Sequence, residues 1–264
     1  MTIAGSDPGG GAGIQADLKT FAALGVYGYS VITDVIAQNS FSVARTDPVA
    51  PASVTAQIKS LTEECLPRAL KTGALGNAAI VRAVARAIAK LALPAPVVDP
   101  VIIASSGTRL LDQAGERAIR DVLIPLARIV TPNIAEAETL TAIQLDTDTA
   151  IREAARRIVA MGARAVVIKG GHRKNAGAKA IDLFYDGRHF IELTSNRIPG
   201  EGAHGTGCAF SAAIAAHLAR GRDLEEAVRN AKSYVTKALK QRFKLGKGSA
   251  LLDHFARANS RSVG

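Results

Sequence analysis

The chain has 264 residues, 48% of them hydrophobic and 21% charged, and carries a formal net charge of +10. That length supplies a sizeable buried core without disulfide or metal staples, and the balance of apolar to charged residues excludes a disordered chain. No uninterrupted apolar run approaches the roughly 20 residues of a membrane span.

The opening Met1-Thr2-Ile3-Ala4-Gly5 leads into Ser6-Asp7-Pro8-Gly9-Gly10-Gly11-Ala12-Gly13 and then a helical stretch, Ile14 to Leu24, with Gly25 as its C-terminal cap. The glycine loop is neither a Walker loop nor a dinucleotide fingerprint. No Gly-Lys-Ser/Thr closes it, and the third glycine position of G-x-G-x-x-G falls on Ile14. It does let a ligand approach the backbone closely. Val26 to Ile36 is long and β-branched, and is expected to join a sheet or cover the site.

Four short apolar runs follow, each ending in polar or Gly/Pro residues: Leu70–Gly73, Val97–Pro100, Ile129–Pro132 and Ala165–Lys169. They read as buried parallel strands. Between them, helices are expected from an Asn77 cap to about Leu91, from about Asp112 to Leu126, and from about Thr147 to Met161. A hairpin is expected from Ile181 to Leu193 around Asp186-Gly187. The alternation predicts one α/β domain with a mainly parallel sheet and small β additions over residues 1–255, and a tail over 256–264. Ligands of such sheets sit beyond the C-terminal ends of the strands. Asp99, Thr131, Asn133 and Lys169 would converge there.

Near the end, Gly200-Glu201-Gly202-Ala203-His204-Gly205-Thr206-Gly207-Cys208 precedes a small-residue helix, Ala209 to Leu218. Free backbone N–H groups and the positive end of that helix suit an anion that develops during a reaction. Cys208 lies in the first turn, where a lowered thiol pKa is expected and a thiolate would serve as a base. The other cysteine, Cys65, reads as a structural residue. Two distant cysteines in no metal spacing, with no signal-peptide pattern, point to a reducing interior, the cytoplasm. Asn133 and Glu136 face one side of a helix start, and hard oxygens of this kind suit Mg²⁺ through water and phosphate. Lys169 suits phosphate charge, whereas His172 reads as a loop residue.

These pieces resemble hydroxymethylpyrimidine/phosphomethylpyrimidine kinases of the ribokinase-like superfamily. The resemblance rests on the run Thr2 to Thr20, then Ala37-Gln38-Asn39, Asp99-Pro100-Val101, Thr131-Pro132-Asn133, Lys169-Gly170-Gly171-His172 and His204 to Cys208, in the family's order and to about Phe255. It implies a three-layer α/β/α fold and a homodimer. It also implies that ATP and Mg²⁺ phosphorylate 4-amino-5-hydroxymethyl-2-methylpyrimidine to its monophosphate and then to the diphosphate. By the same resemblance Gln38, Asp17, Gly5 and Val101 hold the substrate, and Gly205, Thr206 and Gly207 form the anion hole beside the base Cys208. Lys169, Lys232 and Asn133 meet the nucleotide phosphates, and Asp99 and Glu136 the Mg²⁺ side. Phosphoryl transfer needs mainly positioning and charge neutralisation, with Cys208 taking the hydroxyl proton late.

Two positions depart from the family pattern. Ala74 stands where the family often has Met, and Ser105 where it often has Lys. Ala74 leaves room for the larger substituents of pyridoxine, so a pyridoxal/pyridoxine kinase is the nearest rival. A ligand-binding relative without catalysis is a rival of another class. Residues 229–264 contribute +8 of the +10. Leu224, Val228, Ala231, Val235, Ala238 and Leu239 form the apolar face of the last helix, with Lys and Arg opposite. The basicity is therefore local, and neither nucleic acid nor a membrane is expected as partner.

Overall fold

In the computed structural model, residues 1–104, 107–170, 178–200 and 202–256 are described. Ser105, His172, Gly171 and Glu201 lie outside them. A nine-stranded sheet runs through the molecule in the order β3-β2-β1-β4-β5-β6-β7-β8-β9. Its strands are β1 (Thr2–Ser6), β2 (Ser30–Gln38), β3 (Val43–Pro48), β4 (Lys71–Thr72), β5 (Val97–Val98), β6 (Ile129–Val130), β7 (Val166–Ile168), β8 (Lys179–Tyr185) and β9 (Phe190–Asn196). The strands from β2 to β7 pair in parallel across the middle, while β3, β8 and β9 add antiparallel edges. The expected hairpin is β8–β9, with Asp186 accepting from the backbone of Arg188 and His189 in the turn. The long Val26–Ile36 segment joins the sheet as β2.

Helices cover both faces. Along the short central strands, alternate side chains go to opposite cores, as the two-residue period of a strand requires. Ile3, Val31, Val98, Val130 and Val166 belong to one core, and Val97, Ile129 and Val167 to the other. The first core packs under α2 (Pro51–Glu64), α3 (Ala78–Lys90), α4 (Gln113–Ala118), α5 (Ile134–Thr141) and α6 (Asp148–Ala160). The second packs under α1 (Gly13–Ala23), α7 (Thr206–Ala219) and α8 (Leu224–Lys240).

Caps set the helix boundaries. Asn77 accepts from the backbone of Ala79 and Ile80, and Thr147 from that of Ala150. The expected helix from Asp112 is regular only to Ala118. It widens into a π turn over Ile119–Leu123 and tightens into a 3₁₀ turn over Ile124–Leu126, where Pro125 has no N–H to continue the ladder. Helix α7 is buried from Ala209 to Ala216 because it is wedged between α1 and α8 over the sheet. Its alanines allow that close approach. Two short strands, β10 (Ala203–His204) and β11 (Ala250–Leu251), pair in parallel beside its N-terminus. No helix of the described residues is long and apolar enough to cross a membrane.

Candidate active site

The C-terminal ends of β1 and β4 to β7 meet the N-termini of α1 and α7 on one edge of the sheet. Helix α7 begins at Gly205, which adopts a left-handed φ of 81°, and no side chain caps its first turn. A Cβ on Gly205 would overlap the carbonyl oxygen of Gly11, so only glycine lets the two turns touch. The Thr206 hydroxyl donates to the Ala203 carbonyl (2.7 Å), which fixes the turn, and the first-turn N–H groups of Thr206 and Gly207 have no intrahelical acceptor. A Cβ on Gly207 would lie 3.2 Å from Lys169 Nζ and 3.8 Å from Asp99 Oδ2, so the helix start, the cation and the carboxylate form one cluster.

Asp99 is only 2% exposed. Its Oδ1 accepts from Lys169 Nζ (3.1 Å) and Thr131 Oγ1 (3.4 Å), and its Oδ2 from Ser211 Oγ (3.2 Å). Burial works against the charge of Lys169, but Asp99 and Glu136 outweigh it and hold the ammonium above its ordinary range. Glu136 is pushed up to about 7, first by burial and then by Asp99, with Lys169 opposing.

Glu136 also closes a capping box with Asn133. Each side chain accepts from the other's backbone N–H, at 2.9 and 2.8 Å. The Asn133 amide oxygen is thereby spent on its own helix, which leaves the amide Nδ2 as the atom able to donate to a phosphate. The paired hard oxygens of Asp99 and Glu136, crowded enough to raise the Glu136 carboxyl, fit a Mg²⁺ ion. No group of three or more His, Cys, Asp or Glu among the described residues makes a closed metal cage, so phosphate oxygens and water would complete its shell.

Cys208 is half-buried and receives the Gly13 backbone N–H. Its thiol does not show the lowering expected at a helix start. Burial raises it to about 11, with Asp17 and Asp99 adding to the rise and Lys71 opposing it.

Asp17 lies beneath this site rather than in it. The side chains of Asp17 and Lys71 are both fully buried and pair at 2.7 Å, and Thr2 Oγ1 donates to the same Asp17 oxygen at 2.6 Å. An Asp17 contact to substrate is therefore not what this geometry offers. Lys71 escaped the sequence reading, although a lysine inside an apolar strand was its signal.

Gly5 faces Ile36 and Ala74. A Cβ added to Gly5 would be 2.9 Å from Ile36 Cδ1 and 3.6 Å from the Ala74 Cβ. Gln38 ends β2, and its amide makes no hydrogen bond among the described residues. Val101 follows Asp99 in a tight turn, its N–H donating to the Asp99 carbonyl. Lys232 reaches the rim from α8 by pairing with Asp182 (2.7 Å), whose other oxygen accepts from Gly170 beside Lys169. Of the expected groups, Asp99, Lys169 and Gly207 are brought together, Val101 is held to Asp99 by its backbone, Gly5 adjoins Ala74, and Lys232 reaches Gly170 through Asp182.

The family described as phosphomethylpyrimidine kinase matches residues 7–253. The hydroxymethylpyrimidine/phosphomethylpyrimidine kinases of Rhizobium meliloti and Haemophilus influenzae are 45% and 43% identical. The alignments cover 97% of this chain, and 97% and 96% of those proteins. The thiamine biosynthesis bifunctional protein ThiED of Geobacter sulfurreducens is 42% identical over 98% of the chain, which spans only about half (52%) of that longer protein.

Among solved structures, the ADP complex of Bacillus subtilis pyridoxal kinase aligns with a TM-score of 0.88 at 39% identity, covering 97% of this chain and 96% of that one. Phosphomethylpyrimidine kinase from Clostridium difficile aligns at 0.80 and 38%, covering 90% and 98%. The fold is thus that of the ribokinase-like kinases, and the chain belongs to the phosphomethylpyrimidine kinase family.

Proposed function

We propose that this kinase transfers the γ-phosphoryl group of ATP to the hydroxymethyl oxygen of 4-amino-5-hydroxymethyl-2-methylpyrimidine, and then phosphorylates the monophosphate to the diphosphate. The observation that carries this reading is the placement of Cys208. Its thiol takes the Gly13 backbone N–H at the first turn of α7, the turn whose Gly207 adjoins Lys169 and Asp99.

The Gln38 amide offers a donor and an acceptor, which suits an aminopyrimidine edge. The hydroxymethyl oxygen attacks the γ-phosphorus, the bond to the β,γ-bridging oxygen breaks, and ADP departs. The hydroxyl proton leaves to Cys208 Sγ. The N–H groups of Thr206 and Gly207 and the Lys169 ammonium meet the charge on the transferring group. Asp99 and Glu136 would hold Mg²⁺ through water and phosphate, where it would neutralise phosphoryl oxygens. Asn133 contributes by fixing Glu136, and Lys232 by anchoring the Gly170 turn through Asp182.

Because the thiol is neutral at rest, its basic form is a minority state, favoured by the Lys71 ammonium and disfavoured by Asp17. A homodimer in a reducing cytoplasm belongs to the same reading. The exposed Val35 of β2 and Phe41 of the β2–β3 turn supply apolar surface in support of self-association.

Pyridoxal or pyridoxine is the second acceptor to consider, on the specific ground that Ala74 is small where it faces Gly5. An ATP-dependent assay with the hydroxymethylpyrimidine, following mono- and then diphosphate by chromatography, tests the proposal. Turnover of pyridoxal with no pyrimidine phosphate would replace it with the rival. No turnover of either would leave the ligand-binding relative.

A further inference from the structure

We propose that His204 is a positioning residue that locks the phosphate-facing turn of α7 to the glycine loop after β1, with Asp7 as the bolt. The inference rests on reading the N-terminus of α7 as the phosphate side of the site.

Asp7 is 1% exposed and His204 7%. His204 Nε2 lies 3.1 Å from Asp7 Oδ2. Three backbone N–H groups of the loop converge on the same carboxylate, Gly9 on Oδ1 at 2.9 Å and Gly11 and Ala12 on Oδ2 at 3.2 and 2.8 Å. Although burial works to raise it, His204 and these donors hold the Asp7 carboxyl below the usual range. An ionised carboxylate only accepts, so His204 Nε2 carries the proton of that bond.

The bridge has two ends of different kind. On one side, Asp7 organises the loop that runs into α1. The Asp7 N–H donates to Gln15 Oε1 (2.9 Å), and Gln15 Nε2 donates in turn to Ser6 Oγ (2.8 Å). On the other side, His204 is the last residue before the Gly205 turn, and β11 holds its backbone in register with Leu251.

Nothing loose separates the two ends. A Cβ on Gly11 would be 2.7 Å from both His204 Cδ2 and Leu251 Cδ2. The loop therefore cannot shift relative to the α7 turn without breaking the Asp7–His204 bond. Gly13, at the end of that loop, is the residue whose N–H meets Cys208. The bridge thus fixes where the acceptor's oxygen stands relative to the thiol and the transferring phosphoryl group. Packing between α1 and α8 keeps α7 itself in place, so the acceptor side carries the cost when the bridge is lost.

The test is steady-state kinetics with the hydroxymethylpyrimidine and ATP varied in turn, on His204→Ala, His204→Gln and Cys208→Ala. Misplacing reacting groups by about 1 Å costs on the order of 100-fold, and that is the loss in kcat/KM expected for His204→Ala. It should appear as a raised KM for the pyrimidine and a lowered kcat, with the KM for ATP unchanged. His204→Gln, whose Nε2 can still donate to Asp7, should recover most of the loss.

A lowered kcat with both KM values unchanged would reflect only a smaller folded fraction and would overturn the proposal. So would a His204→Gln enzyme as impaired as His204→Ala. Normal kinetics in His204→Ala beside an impaired Cys208→Ala would sink the bridge alone, and normal kinetics in both would sink the reading of α7. Should His204→Ala fail to fold, Asp7→Asn replaces it. Its amide opposes the loop N–H groups, and it should give the same raised pyrimidine KM.

Discussion

Lys71 and Asp17 are joined at 2.7 Å with neither side chain exposed, directly under the strand ends that carry the site. Burial opposes both charges, and Asp17 holds Lys71 protonated well above its ordinary range. Removing one partner leaves the other charged and unpaired in a dry interior. Lys71→Met should therefore destabilise the fold by about 3–5 kcal/mol in urea unfolding. A loss within 1 kcal/mol would show that water reaches Asp17 when the lysine is gone.

The Cys208 thiol stands at about 11, so at neutral pH nearly all of it is protonated. Below that pKa, each unit of pH multiplies the thiolate about tenfold, so kcat/KM for the acceptor should climb with pH through 7 to 9. Cys208→Ala should lower kcat by about 100-fold or more and flatten the climb. An unchanged slope in that variant would assign the proton to another group.

The framework was legible because it is built from local signals. Asn77 and Thr147 cap the helices expected of them, and the apolar runs at Val97 and Ile129 are central strands. The convergence of Asp99 and Lys169 followed from their places at the C-terminal ends of two apolar runs. What escaped the sequence depended on long-range burial. The thiol pKa is decided by desolvation and by Lys71 and Asp17, residues far from Cys208 in the chain. Asp17 sat in a motif that suggested substrate, yet its partner is an unforeseen lysine on β4. Asn133 was visible as a helix start, but the reciprocal capping box with Glu136, which takes its amide oxygen, was not.

Asp34 lies buried on β2 with Oδ1 unpartnered, and burial pushes its carboxyl up to about 6. A folded-state pKa above the unfolded value means that the folded chain binds the proton more tightly. Stability is therefore greatest below about pH 4 as far as this group is concerned, and declines as pH rises towards 6. Above 6 the deficit is constant, on the order of 2–3 kcal/mol. Asp34→Asn should raise the Tm at pH 7 and bring little change at pH 4. An equal shift at both pH values would remove ionisation as the cause.

Ala74 is buried, its carbonyl accepts from Thr33 Oγ1 (2.6 Å), and its methyl lies beside Gly5, where the acceptor ring is proposed to bind. A longer side chain there would press towards Ile36, which is already tight against Gly5, or extend into the space proposed for the acceptor ring. The extra substituents of pyridoxine need that space more than the smaller pyrimidine does. Ala74→Met should therefore lower kcat/KM for pyridoxine relative to the hydroxymethylpyrimidine by about tenfold, the discrimination typical of one or two methylenes in an apolar pocket. Competition assays with both acceptors in one vessel measure the ratio directly. An unchanged ratio would show that the Met side chain turns away from the ring, and would move the specificity boundary to Val101 and Gln38.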